Sequence, residues 1–465
     1  MIPVGDSNGG KYMSIIYQVT VSKGQHLSRN NAVISRNIAL NFGLESDSVI
    51  TLLVGHLNCR VKLKINYTKT GHFLAVSPLV LNKLHLPGNS RYGLQMTASG
   101  LRIGPVIGIM GEYGSNSARP FGGQGLFFSQ LSTAGRKLGE LCFAFDPSSV
   151  NYVSKTVQGF IYSHGIWRKG VFPIPDVVYP RESGYSQTKK VVRNRLEAAG
   201  CRFINPSLIG KWQTNQSLSK DLSLSRYLPE TRIVNNFDQI DKMLNQYGAV
   251  YLKPITGSQG RNIIRVAKAK NKKTYWYSYQ RNSRPYRNLV HSLGALRLSL
   301  RPVMGSRRYI VQQQIDLLRV HGNISDVRVL VQKDDSGQWK ITGKACRVGR
   351  TGSITSNISG GGSGHKLPEV LSHYFAQGGV RSILQEIDYL ALEAARMLEK
   401  DTGSIGELGI DIGIDTHGRI WFIEANLKPA RKVFILIGEK STRQASVMNP
   451  MLYSRYLAGF SPERQ

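Results

Sequence analysis

Acidic residues and cysteines are scarce in this sequence, and long apolar runs are absent. The 465 residues include 29 Asp and Glu against 61 Lys and Arg, which gives a formal net charge of +32. The four cysteines form no Cys-x-x-Cys pair, which argues against a disulfide framework or a cysteine zinc site. No run of about 18 apolar residues occurs and the start lacks a basic segment before an apolar stretch, so we expect neither a transmembrane helix nor a secretory signal.

The excess of positive charge predicts a polyanionic partner, because such a surface attracts nucleic acid, anionic membranes, acidic polymers and phosphorylated ligands. General basicity without a specific partner is the competing interpretation. The composition, with 41% hydrophobic and 19% charged residues, is typical of a globular protein. The length predicts two or three domains.

Three regions differ in their patterns. Residues 1–102 are predicted to form a β-rich domain, because a β-branched run at 48–54 and a period-two alternation at 61–65 are typical of strands. Residues 103–204 alternate apolar strands with helical stretches, which predicts a small α/β domain. Residues 205–465 are predicted to be a third domain, and they contain the residues with identifiable chemistry.

The first candidate site follows a predicted strand that ends near Lys253. Gly257, Ser258, Gln259 and Gly260 come next in a short loop, where glycine lets backbone N–H groups approach phosphate oxygens. The lysine precedes the glycines and no Gly-Lys-Ser/Thr follows, so this is not a P-loop. A hairpin turn without a ligand is the alternative interpretation.

A predicted hairpin near the C-terminus carries the second candidate site. Asp411 lies on its first strand, and Glu424 and Asn426 lie on one face of its second strand because side chains alternate along a strand. Carboxylates in so apolar a hairpin need a partner, and Mg²⁺ is a hard cation that accepts such oxygens. Asp415 is a competing ligand, and a polar outer face on an edge hairpin is the alternative to a metal site.

The third candidate site consists of two arginines inside strand patterns, Arg328 at 326–331 and Arg347 at 344–348. Arginine is unexpected there, so each predicts an anionic partner, either a carboxylate or a phosphoryl group. A structural pair with Asp326 is the simplest alternative. The glycine-rich segment that follows Asn357 is either a loop over the site or a linker.

A basic stretch separates these sites. No Asp or Glu occurs between Asp241 and Asp316, and Tyr275, Trp276 and Tyr277 lie among the basic residues. This composition predicts either a single-stranded nucleic-acid surface, which would use stacking and charge, or a basic sheet that faces a triphosphate.

Taken in order, these segments resemble the ATP-grasp superfamily from about residue 205 onward, through Lys211, Lys253 with its loop, 311–315, 326–328, Arg347, 356–362 and the hairpin from Asp411 to Asn426. The wider chain resembles the YheC/YheD family of spore-coat-associated ATP-grasp proteins at 103–109, 173–179, 411–415 and 420–424. The resemblance implies an α+β fold of two subdomains around the nucleotide. A small α/β domain and an N-terminal β-rich domain would precede it.

The resemblance further implies a carboxylate–amine ligase that uses ATP and Mg²⁺ and forms an acyl phosphate. The implied roles are phosphate contacts for Lys211, Lys253 and the loop 257–260; adenine contacts for the backbones of Gln313 and Ile315; Mg²⁺ binding for Asp411, Glu424 and Asn426; and phosphoryl contacts for Arg328, Arg347 and Asn357. The implied substrate is a carboxylate-bearing small molecule, a peptide or an acidic polymer. We expect a cytoplasmic protein with an association with the spore coat.

The sequence departs from the pattern of the superfamily in two places. Gly210 stands where relatives of the glutamate-ligating type have an acid, and residues 312–314 are all glutamine, without the glutamate that contacts ribose. The alternatives to a ligase are an ATP-binding coat protein without turnover and a nucleic-acid binder that uses residues 242–315. The last predicts salt-sensitive oligonucleotide binding that does not need ATP.

Overall fold

A computed structural model describes residues 16–116, 119–184, 186–205, 210–255, 262–269, 274–281, 284–356, 358 and 361–460. The chain divides into two compact units. Unit 1 comprises residues 1–204, 335–337 and 451–465, and unit 2 comprises residues 205–334 and 338–450. No helix in the described ranges is long and apolar enough to cross a membrane.

Unit 1 begins with a closed seven-stranded barrel. Its elements are β1 (Ile16–Lys23), β2 (Asn31–Ser35), α1 (Arg36–Asn41), β3 (Val49–Val54), β4 (Leu57–Asn66), β5 (Phe73–Val76), α2 (Pro78–Lys83), β6 (Ser90–Thr97) and β7 (Gly100–Gly104). The strand order around the barrel is β1-β5-β2-β4-β3-β7-β6. In β4 the apolar residues Cys59, Val61 and Leu63 are buried and alternate with exposed ones, as a barrel strand requires.

Six of the seven barrel strands follow the same strand–helix–strand–strand order twice, in β2-α1-β3-β4 and in β5-α2-β6-β7. Gly43 and Asp47 of the first copy have φ of 62° and 65°, and His85 and Asn89, each 42 residues later, have φ of 46° and 55°. Gly, Asn, Asp and His are the residues that most readily adopt this conformation. The equivalent positions therefore share a backbone conformation although their residue types differ. The repeat was not predicted from the sequence.

The rest of unit 1 is a mixed sheet with two long helices. Its elements are β8 (Val106–Met110), α3 (Gly125–Lys137), β9 (Leu141–Phe145), β10 (Val150–Asn151), β11 (Thr156–Ser163), β12 (Ile166–Pro173), β13 (Val177–Pro180), α4 (Gln187–Ala198) and β14 (Arg202–Phe203). The order is β10-β11-β9-β8-β13-β14, and β12 pairs with β11. Strands β9, β8, β13 and β14 are parallel to one another. The domain boundaries predicted at residues 102 and 204 stay predictions.

Unit 2 contains two antiparallel sheets, of which the first is here called the small sheet. Its segment has α5 (Lys211–Ser219), α6 (Leu222–Ser225), β15 (Thr231–Ile233), α7 (Phe237–Tyr247), β16 (Ala249–Pro254), β17 (Ile264–Lys268), β18 (Tyr275–Arg281), β19 (Arg284–Val290), α8 (Leu293–Met304) and β20 (Tyr309–Gln313). The strand order is β15-β20-β16-β17-β18-β19. Helices α7 and α8 cover one face, where Ile240, Leu244, Leu296 and Leu300 share a core with Val250, Leu252, Val266 and Tyr277.

The second sheet of unit 2 is here called the large sheet. Its segment has β21 (Arg319–Val320), β22 (Asn323–Lys333), β23 (Trp339–Val348), β24 (Ser363–His365), α9 (Leu367–Ser372), α10 (Gln377–Thr402), β25 (Glu407–Ile414), β26 (Ile420–Asn426) and α11 (Lys432–Leu436). Helix α12 (Lys440–Leu457) follows, and its residues from 451 onward belong to unit 1. The order is β24-β23-β22-β25-β26. Apolar residues of α10 pack on one face against Val327, Val329, Ile410 and Ile412. The intervening residues of β22 and β25 therefore project from the opposite face.

Candidate functional site

Four buried charged residues form a row across three neighbouring strands of the large sheet. Strand register pairs Asp326 of β22 with Arg347 of β23, and Arg328 of β22 with Asp411 of β25. Arg347 Nε donates to Asp326 Oδ1 at 2.7 Å, and Arg328 Nε donates to Asp411 Oδ1 at 2.6 Å. Arg347 Nη2 also lies 2.9 Å from Asp411 Oδ2, which links the two pairs. Both arginines therefore have carboxylate partners. The pair of Arg347 with Asp326 is the structural pair that the sequence offered as an alternative to an anionic ligand.

The pKa values of two members of the row, Asp411 and Arg347, are shifted toward the charged form. Burial by itself would raise the pKa of Asp411, but the guanidinium groups of Arg328 and Arg347 outweigh it and lower that pKa below its ordinary value. Burial would lower the pKa of Arg347, but Asp326 and Asp411 raise it instead. The charged forms of Asp411 and Arg347 are thus each stabilised by a neighbour on the adjacent strand.

The three predicted metal ligands lie together beside this row. Register places Glu424 of β26 opposite Asp411. The amide nitrogen of Asn426 is 3.1 Å from Glu424 Oε1 and 3.4 Å from Asp411 Oδ2. A rotation of this amide by 180° would present its oxygen instead. Two carboxylates and one amide oxygen suit Mg²⁺, although the described ranges hold no cluster of three Asp, Glu, His or Cys suited to a metal.

Asp415, the competing candidate for a metal ligand, accepts hydrogen bonds within the turn instead. Its Oδ1 accepts hydrogen bonds from the backbone N–H groups of His417 at 2.9 Å and Arg419 at 3.0 Å. Its Oδ2 accepts one from Trp421 Nε1 at 3.0 Å. Asp415 therefore fixes the turn between β25 and β26.

Two lysines approach the metal ligands from other elements. Lys211 begins α5, and its Nζ lies 3.9 Å from Glu424 Oε2. Lys253 is buried in β16 and donates to Gln312 Oε1 at 2.5 Å. Burial lowers the pKa of Lys253 to about 8, against the opposing effect of Glu424, and the positive charge of Lys211 lowers it further. Basic groups thus approach Glu424 from two elements outside the large sheet.

The backbone groups predicted to hold adenine are only partly available. The N–H group of Gln313 donates to the Glu230 carbonyl at 2.8 Å. The carbonyl of Ile315 accepts from the Leu317 N–H at 3.0 Å. A nucleotide at this edge would therefore use other backbone groups of 313–315 or displace these bonds.

Five predicted residues lie outside the described ranges: Gly257, Ser258, Gln259, Gly260 and Asn357. The loop between β23 and β24, of which Asn357 is part, nevertheless reaches the small sheet. The Tyr251 hydroxyl donates to the Ile354 carbonyl at 3.2 Å, and Arg287 Nη2 donates to the Gly352 carbonyl at 3.4 Å.

Gln312 and Tyr251 are parts of this site that the sequence motifs did not predict. Gln312 accepts the hydrogen bond from Lys253 and donates through Nε2 to Thr231 Oγ1 at 2.9 Å. Tyr251 lies two residues before Lys253 and therefore on the same face of β16, a relation that strand periodicity could have revealed.

The family model described as YheC/D like ATP-grasp matches residues 200–457. The chain belongs to this family. The predicted family and the predicted ATP-grasp fold class are confirmed, and the sites described above lie within the matched residues.

Two curated proteins of this family are similar over most of the chain. Endospore coat-associated protein YheD of Bacillus subtilis (strain 168) is 28% identical over 389 residues, which cover 81% of this chain and 83% of YheD. Endospore coat-associated protein YheC of the same organism is 24% identical over 348 residues, which cover 73% of this chain and 93% of YheC.

Solved structures of more distant ATP-grasp proteins are also similar. The ATP-grasp ligase PsnB complexed with minimal precursor is 14% identical, with a TM-score of 0.42 over 72% of this chain and 95% of that one. The D-alanine-D-alanine ligase from Coxiella burnetii is 12% identical, with a TM-score of 0.43 over 76% of this chain and 96% of that one.

Proposed function

We propose that this YheC/D-like ATP-grasp protein is an ATP- and Mg²⁺-dependent ligase that joins a carboxylate to an amine through an acyl phosphate. One observation carries the proposal, namely the convergence of Lys211, Lys253, Arg328, Arg347, Asp411, Glu424 and Asn426 in unit 2. These residues come from both sides of the site and include several buried charges. Phosphoryl transfer depends mainly on such positioning and neutralisation of charge.

The proposed reaction has two steps. A carboxylate oxygen of the substrate attacks the γ-phosphorus of ATP, an O–P bond forms, and the bond to the β,γ-bridging oxygen breaks, which releases ADP. The amine nitrogen then attacks the acyl carbon of the acyl phosphate, the C–O bond to phosphate breaks, and the amine nitrogen loses a proton. The products are an amide, ADP and inorganic phosphate.

The basic residues would neutralise the phosphates in both steps. Lys211 and Lys253 suit the triphosphate, because Lys253 lies in a buried position where a charge interaction is strong. Arg347 uses Nε and Nη2 for its carboxylate partners, and its Nη1 has no partner in the described part of the chain. We assign this Nη1 to the transferred phosphoryl group, with Arg328 beside it.

Asp411, Glu424 and Asn426 would hold Mg²⁺, which when bound would neutralise phosphate charge. Asp411 already shares its oxygens with two guanidinium groups. Glu424 has a weaker competing partner, since Lys211 lies 3.9 Å away. Glu424 is therefore the carboxylate whose removal should affect the metal most directly.

The test is calorimetric titration of Mg·ATP into the wild type, Glu424→Gln and Asp415→Asn. We expect binding to the wild type, about tenfold or greater weakening in Glu424→Gln, and a change below about twofold in Asp415→Asn. Amino acids and acidic peptides are then screened for release of phosphate. A folded wild type that does not bind Mg·ATP would contradict the ligase proposal, and equal losses in both variants would contradict the ligand set.

A second candidate is an ATP-binding protein that associates with the endospore coat and does not turn over. The names of the curated relatives support a coat association for this chain, and we propose it for either function. The specific observation in favour of the second candidate is that two arginines hold both oxygens of Asp411. Mg·ATP binding without phosphate release, with any carboxylate and amine tested, would favour it.

A further inference from the structure

The small sheet has one face covered by α7 and α8 and a second face, here called the open face, that these helices leave uncovered and that the 352–354 loop contacts at Tyr251 and Arg287. Register places Tyr251, Arg265, Ser278 and Arg287 side by side on β16, β17, β18 and β19. The neighbouring core residues Val250, Leu252 and Val266 pack under the helices, so this row projects from the open face. Lys253 lies on the same face, two residues from Tyr251. The row therefore leads from the proposed nucleotide site to the outer strand.

The two faces differ in how their cations are neutralised. On the helix-covered face, Lys268 lies 3.3 Å from Asp241 of α7. On the open face, Arg265 donates to the neutral Gln314 Oε1 at 2.6 Å, and Arg287 donates to the Gly352 carbonyl at 3.4 Å. Within the described ranges, no carboxylate lies within ion-pair distance of either arginine. The open face thus carries positive charge that the fold does not neutralise.

Trp276 is an exposed aromatic side chain beside these arginines, whereas Tyr251 on the same face is only partly exposed. Trp276 of β18 is 51% exposed on the open face, whereas Tyr275 and Tyr277 are 4% and 5% exposed and belong to the core under the helices. A surface for single-stranded nucleic acid stacks successive bases on successive exposed rings. A single exposed tryptophan between arginines offers a stacking surface for only one base. It is better suited to pack against the side chains and backbone of a bound peptide.

We propose that this open face, defined by Arg265, Trp276 and Arg287, binds an acidic polypeptide segment whose carboxylate is activated at the ATP site. The inference rests on the proposed function, which supplies the reason for a carboxylate to be brought here. Strands lie about 4.8 Å apart, so Arg287 is roughly 14 Å from Tyr251 across three strand spacings. About four residues of extended peptide span that distance, so a segment with several closely spaced carboxylates would contact both the arginines and the site.

The experiment measures fluorescence anisotropy of labelled deca-L-glutamate with the full chain and matched variants. Arg287→Glu reverses a charge on the open face, and Arg301→Glu makes the same change at an exposed position of α8, over the opposite face. We expect roughly tenfold weaker binding in Arg287→Glu, less than about twofold change in Arg301→Glu, and near-normal binding in Arg287→Lys. Trp276→Ala is an independent second variant, with an expected loss of about threefold.

Equal losses in Arg287→Glu and Arg301→Glu would overturn the proposal, because the peptide would then respond only to total charge. Tighter binding of a ten-nucleotide oligothymidylate, lost in the same variant, would overturn it in favour of nucleic acid. Mg·ATP titrations on the same samples separate this inference from the ligase proposal. If the wild type binds Mg·ATP normally but does not bind the peptide, only the peptide-surface proposal is overturned. If the wild type binds the peptide but not Mg·ATP, and Arg287→Glu loses the peptide, the surface proposal stands and the ligase proposal is overturned.

Discussion

Lys253 shows how burial changes the chemistry of a single residue. Its ammonium group is removed from water in β16, and its hydrogen-bond partner, Gln312, is neutral. Burial lowers its pKa to about 8, so a substantial fraction of the lysine is neutral at that pH. A bound triphosphate would favour the cation and raise the pKa again.

We therefore predict that Mg·ATP binding takes up protons at pH 8, by up to about half a proton per site, and takes up almost none at pH 6.5. Calorimetric titrations in two buffers of different ionisation enthalpy measure this uptake. Lys253→Met should remove it. Uptake that is equal at the two pH values, or that persists in Lys253→Met, would contradict the assignment.

At the scale of elements, the buried row of Asp326, Arg347, Asp411 and Arg328 ties β23, β22 and β25 together. In the described part of the chain, the ion-pair partners of each member are its neighbours in the row. Removal of one carboxylate leaves a buried guanidinium without full compensation, which is much more costly than the loss of an exposed ion pair. The row therefore stabilises the large sheet in addition to forming part of the proposed site.

Asp326→Asn is expected to lower the free energy of unfolding by about 3–5 kcal/mol. The matched control is Asp388→Asn, because Asp388 of α10 pairs with Lys344 of the same strand β23 at 2.7 Å in a more exposed position. The control should cost less than about 1 kcal/mol. Urea denaturation measures both, and similar losses would argue against the structural role of the row.

At the scale of the whole molecule, the net charge of +32 works against compactness. Most of this charge is on the surface, where added salt screens it. Buried pairs such as Asp326 with Arg347 are screened much less. The contribution of charge to the stability of the folded protein should therefore depend on ionic strength.

We predict that the unfolding temperature rises by a few degrees between about 20 mM and about 300 mM NaCl, since the screening length shortens over this range. Differential scanning calorimetry measures the change, and a titration with sucrose at constant ionic strength is the control for a general solute effect. A fall in the unfolding temperature with salt would show that attractive surface pairs outweigh the repulsion.

Features that depend on neighbours along the chain could be predicted from the sequence. Side-chain alternation puts Glu424 and Asn426 on one face of β26, and the hairpin brings that strand beside Asp411. A register shift between Asp411 and Ile412, which alternation does not predict, sets Glu424 opposite Asp411. The order of the candidate residues along the chain was enough for the family, and residues 200–457 match its model.

Which distant residues meet depends on the tertiary structure. Arg328 and Arg347 each predicted an anion, but strand order chose Asp411 and Asp326 as the partners. Gln312 meets Lys253 because β20 and β16 are adjacent strands, although 59 residues separate them in the chain. Periodicity fixes the face on which a side chain lies, whereas its partner depends on strand order and register, which the whole fold determines.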